Sequence, residues 1–127
     1  MHDREAHLDT LNILKEQNVK NVLLHCYSGS VEFMKECEKL GYKIALGGVV
    51  TFKNAKEPKE VAAAVQLENL MLETDCPYLA PHPFRGVENS PKYIGFVAKE
   101  IANLRNISYD SVVHATTKNA KEFFNLK

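Results

Sequence analysis

Leu70-Met71-Leu72-Glu73-Thr74-Asp75-Cys76-Pro77 opens as a short apolar run and closes on an acid, a thiol and a proline. The run is too short for a buried helix and long enough for a buried strand, so a strand is expected near 69–73. Upstream, Asn21-Val22-Leu23-Leu24-His25-Cys26 has the same form, and Tyr42-Lys43-Ile44-Ala45-Leu46 repeats it before Gly47-Gly48. Strands are therefore expected near 21–25, 42–46 and 69–73.

Helical patterns fill the intervals. Leu8, Leu11, Ile13 and Leu14 place a first helix over 7–17, stopped near Asn18. Ser30 is a cap for a helix through Leu40, with Gly41 as its stop. A third helix is expected over 57–65, with Pro58 in its first turn. Five prolines and glycines crowd 77–91, which marks a long irregular loop. Ser90-Pro91 opens the next helix, whose apolar face is Ile94, Val97, Ala98, Ile101 and Leu104. Ser108 starts another, and Thr117 is expected to cap a last one. Strands separated by helices imply right-handed crossovers and a parallel sheet. No repeat or linker divides the chain, so residues 1–127 read as a single domain.

Composition narrows the function classes. Sixteen basic residues balance sixteen acidic ones, so whole-chain charge makes no case for nucleic acid or an anionic membrane. No stretch reaches the roughly 18 apolar residues of a membrane span, and no membrane partner is expected. Met1-His2-Asp3-Arg4-Glu5-Ala6 is not a signal peptide. Three scattered cysteines, Cys26, Cys37 and Cys76, argue against a disulfide framework and for a reducing cytoplasm. Gly47-Gly48 lacks the partners of a phosphate or dinucleotide loop.

The candidate chemistry lies at the strand ends, where parallel α/β folds build their sites. His25 and Asp75 each end a strand. A lone histidine there is more often hydrogen-bonded structure than a ligand, but imidazole and carboxylate on one rim form a ligand set for Zn²⁺ and other divalent metals. His2 is a further imidazole, at a terminus where fraying is common. Arg85 can clamp a phosphate or lie solvated on the surface. Cys26 and Cys76, each beside a candidate ligand, read as small buried hydrophobes.

His25-Cys26-Tyr27-Ser28-Gly29, Gly47 through Ala55, and Leu72 through Pro81 together resemble the TatD family of metal-dependent hydrolases. The likeness continues through Arg85-Gly86, Asn89-Ser90-Pro91 and Tyr93, then Ala115 through Ala120 and Phe123-Phe124. These motifs come in the family's order over nearly the whole chain.

The resemblance implies an amidohydrolase-type (β/α)8 barrel with metal at its C-terminal rim, acting as a deoxyribonuclease or phosphodiester hydrolase. Since 127 residues fall far short of the roughly 250 of a complete barrel, it implies the C-terminal half: about three parallel strands with outer helices. His2, His25 and Asp75 match metal ligands on the fifth, sixth and eighth strands. Asp75 also matches the residue that helps activate the attacking water. Arg85 and Asn89 match loop positions near the substrate pocket. The expected cofactors are divalent ions, whether Zn, Mg or Mn, and the expected substrate is DNA or a small phosphodiester. The family's first-strand His-x-His pair and fourth-strand glutamate have no counterpart here. An alternative is therefore a catalytically inactive half-barrel that self-associates or pairs with an N-terminal half. On either view Val22, Leu24, Ile44 and Leu46 or their neighbours are expected to line the barrel interior, and His2 to be poorly held.

Overall fold

The computed structural model describes His2 and residues 6–127. Among the described residues five α-helices and three strands follow in the order α1 His7–Glu16, β1 Leu23–Leu24, α2 Val31–Lys39, β2 Lys43–Leu46, α3 Lys56–Ala64, β3 Leu70–Leu72, α4 Ile94–Arg105 and α5 Tyr109–Phe123. The strands lie in the order β1-β2-β3, all parallel, with Leu24 beside Ile44 and Ile44 beside Leu70. His2 adds a parallel bridge to His25. The far edge of β1 carries it, because β2 occupies the other. His2 is thus paired, against the expectation of a poorly held terminus.

Local signals set the element ends. Ser30 Oγ accepts the amide of Phe33 at 3.1 Å and caps α2. Gly41, at φ +77°, supplies the left-handed residue that ends it. Asn18 and Asn106 take the same conformation after α1 and α4. The carbonyls ending α3 are capped from outside, by Arg105 Nη1 at 2.9 Å from Ala62 O and 2.6 Å from Val65 O.

Two terminal assignments differ from the sequence reading. Ser90 makes no side-chain cap; Pro91–Tyr93 form a short 3-10 turn that leads into α4. Thr117 starts no helix, because α5 runs unbroken through it. Its neighbour Thr116 shows how threonine is tolerated there: the buried hydroxyl donates to Val112 O, one turn back, at 2.8 Å.

Alternation along the strands separates two faces. Val22, Leu24, Ile44, Leu46 and Leu70 cluster with Met34 and Cys37 of α2, Val61 of α3 and Ile101 of α4. They therefore face the helix layer, and of the two alternatives expected for the barrel interior it is the neighbours that remain for it. Their neighbours Leu23, Ala45 and Met71 face inward, and one residue pair further on so do His25 and Glu73. Ile44, Leu70 and Ile101 are fully enclosed, each contributing roughly 1.5–3 kcal/mol by burial. Asn119 of α5 donates to Leu67 O and Leu70 O, both at 2.8 Å, which ties the last helix to the entry of β3. The result is a half-barrel of the TIM type, with all three strands ending at one rim.

Candidate metal centre

The rim is built where each strand gives way to polar chain. His25 ends β1 and carries the His2 bridge; the two rings lie 5.7 Å apart between centroids. Glu73 and Asp75 follow β3. The imidazole stands between these acids. Its Nδ1 contacts Glu73 Oε2, and its Nε2 lies 3.2 Å from Asp75 Oδ1. The His25 and Asp75 side chains retain 35% and 34% exposure, so solvent reaches the pair, whereas Glu73 retains only 13%.

Burial pushes the Glu73 carboxyl above its usual range, although His25 and the Cys26 amide pull the other way. Glu73 Oε1 is buried with no hydrogen-bond partner. Burial, with the two carboxylates adding to it, raises the neighbouring Cys26 thiol to about 11. Two carboxylates flank one imidazole, and one of them, Glu73, keeps a buried oxygen without a donor. Such a surplus of acceptors fits a bound cation, which would compensate it. Among the described residues no group of three or more His, Cys, Asp or Glu side chains converges to hold a metal. The structure thus joins His25 and Asp75 and sets His2 alongside without completing a three-ligand cage.

The acid's loop is held from behind by Asn89. Its Nδ2 donates to Thr74 O at 2.6 Å and to Tyr78 O at 2.7 Å, and its backbone amide donates to Pro77 O at 2.9 Å. Its Oδ1 accepts the Ser90 amide at 2.8 Å. Asn89 is buried at 5% exposure, with both amide protons committed to the chain. The expected substrate contact is therefore replaced by a positioning duty around Asp75, which itself sits at φ +54°.

The loop also rests on the turn after β2. A side chain at Gly48 would place Cβ 2.1 Å from Leu79 O, so only glycine admits this approach. The His82 amide donates to Thr51 Oγ1 at 2.8 Å. Arg85 lies over the Phe52 ring, 4.1 Å from its centroid, as an exposed cation on an aromatic support. Cys76 is exposed and Cys26 half-buried, so neither is the buried hydrophobe expected; Cys37 is.

The sequence reading missed Glu73. The signal was present, since Glu73 follows Met71 by two positions and so continues the inward face of β3.

These features define a parallel half-barrel with an imidazole–carboxylate site on its carboxyl rim. The family model for TatD related DNase matches residues 1–125, and the chain belongs to that family. It is 44% identical over 128 residues to the uncharacterized metal-dependent hydrolase YabD of Bacillus subtilis, covering 99% of this chain and 50% of that protein. It is 38% identical to the uncharacterized metal-dependent hydrolase YcfH of Escherichia coli K12, covering 99% of this chain and 48% of that one. The solved structure of YjjV, a TatD homolog from Escherichia coli K12, superposes with a TM-score of 0.92 at 31% identity, over 99% of this chain and 49% of that chain. The chain thus spans about half the length of these relatives.

Proposed function

We propose that the chain carries part of the metal centre of a phosphodiester hydrolase that acts on DNA, with His2, His25 and Asp75 as its ligands. The observation that carries this reading is the 3.2 Å approach of His25 Nε2 to Asp75 Oδ1 on the carboxyl rim of a parallel sheet. Two such donors suit one divalent cation, whether Zn, Mg or Mn. When bound, that cation supplies an acidified water and offsets charge on the phosphate.

The chain's own residues would do the rest. Asp75, partly exposed, accepts the proton of the attacking water at its carboxylate. Arg85, steadied on Phe52, offers paired N–H donors to a phosphate oxygen. Lys53 and Lys56, exposed beyond the same turn, give a short local run of positive charge for a nucleic-acid backbone. Three scattered cysteines with no disulfide framework suit a reducing cytoplasm.

A second reading has an observation of its own. Since no three-ligand group forms among the described residues, the chain would act as a half-barrel module that completes its site only in an assembly, with a second copy or an N-terminal half. Exposed strand edges favour such pairing.

Elemental analysis of the purified chain, with hydrolysis of DNA and of a small phosphodiester, tests both. Metal at stoichiometric level with hydrolysis lost in Asp75→Ala supports the enzyme reading. Activity that appears only after an N-terminal half is added supports the module. Full activity in Asp75→Ala overturns the assignment of the site.

A further inference from the structure

We propose that Glu73 is a positioning residue for this centre. Its buried carboxylate accepts the Nδ1–H of His25 and thereby presents an unprotonated Nε2 toward Asp75. This rests on the metal-centre reading and adds a residue to it.

A neutral imidazole has one N–H to give. Here it has two candidate acceptors, Glu73 at Nδ1 and Asp75 at Nε2. The more deeply buried acceptor decides between them. Asp75 retains 34% side-chain exposure and is served by water, whereas Glu73 retains 13% and has one oxygen already without a partner. Moving the proton to Nε2 would take the His25 donor from Glu73 Oε2 and leave the buried carboxylate with the Cys26 amide alone, at the cost of a buried acceptor short of a donor. The proton therefore belongs on Nδ1. The free Nε2 lone pair and the Asp75 carboxylate then face each other across 3.2 Å with no hydrogen between them, as two donors to one cation do.

The fold also fixes the Glu73 side chain. A Cβ on Gly47 would come within 3.1 Å of Glu73 O and 3.4 Å of its Cγ, so the bare glycine lets β2 and the end of β3 close around it. The Glu73 amide donates to Leu46 O at 3.0 Å, which pins the backbone at the same point. The ring orientation is thus set from β3, across the sheet from the strand that carries His25.

Long-range proton–nitrogen correlation spectra of the ¹⁵N-labelled chain, at a pH where imidazole is neutral, read the tautomer directly. Wild type is expected to carry the proton on Nδ1 of His25. Glu73→Ala is expected to shift it to Nε2. Glu73→Gln, whose carbonyl oxygen still accepts, is expected to keep it on Nδ1. Titration with zinc alone should show Glu73→Ala about 10- to 100-fold weaker and Glu73→Gln between the two. Wild type protonated at Nε2 overturns the proposal without any variant, as does an unchanged tautomer in folded Glu73→Ala. The Nδ1–H tautomer in a chain that takes up no zinc supports the positioning and overturns metal binding by the chain alone, leaving the assembly reading.

Discussion

His25 Nε2 and Asp75 Oδ1 lie 3.2 Å apart although fifty positions separate them in the chain. They meet because β1 and β3 run parallel on either side of β2 and end at one level. Replacing Asp75 with Ala removes one side of this pair. On the proposed function, metal-dependent hydrolysis is expected to disappear even at metal concentrations that restore occupancy, because the proposed proton acceptor goes with the proposed ligand. Rates measured against increasing metal separate the two losses.

Asn89→Ala is expected to lower stability by about 1–3 kcal/mol, since Thr74 O and Tyr78 O lose their donors. The same change frees the turn that holds Asp75 at positive φ. Metal affinity should therefore fall with stability, as urea denaturation and zinc titration on one preparation would show.

Gly48→Ala puts a methyl group into Leu79 O and within 3.0 Å of Pro81 N. Backbone has to move to admit it, at about 1–3 kcal/mol. Denaturation midpoints check the size. Binding of a phosphate analogue should weaken in parallel, because the displaced segment leads to Arg85.

Cys26 and Cys76 should separate by their response to pH. The Cys26 thiol is pushed to about 11, first by burial and then by Glu73 and Asp75, whereas Cys76 is exposed. Iodoacetamide at pH 8 is expected to label Cys76 well before Cys26, read by peptide mass. The sign for stability follows. A thiol raised in the folded state above its ordinary 9.0 favours the folded state fully below that pH. That contribution is lost as pH rises toward about 11.

Much of the fold is legible in the chain because its signals are local. Short apolar runs punctuated by Gly41, Gly47 and Pro77 mark strands, and Ser30 marks a helix start through its own hydroxyl. Thr117 misled for the same reason: a threonine carries a capping signal wherever it stands, and the register of α5 overrode it.

Within the site, His25 and Asp75 stood out as polar residues at the ends of apolar strands. Glu73 did not, because a carboxylate after Leu72 reads as the strand's end until its alternation with Met71 is counted. Asn89 was placed near the pocket by resemblance alone. Its duty came from the Thr74 and Tyr78 carbonyls, which only the folded loop brings to its side-chain amide, and from Pro77 O, which accepts its backbone amide.

The sequence by itself determined the alternation of helix and strand, the parallel sheet and the two polar strand-end residues His25 and Asp75, since hydrophobic period and turn chemistry act over a few residues. Only the tertiary structure decided which strand face meets the helices, that Glu73 takes one side of the His25 ring, and that His2 lies alongside it. Those outcomes depend on distances between segments far apart in the chain, and packing, not local propensity, sets such distances.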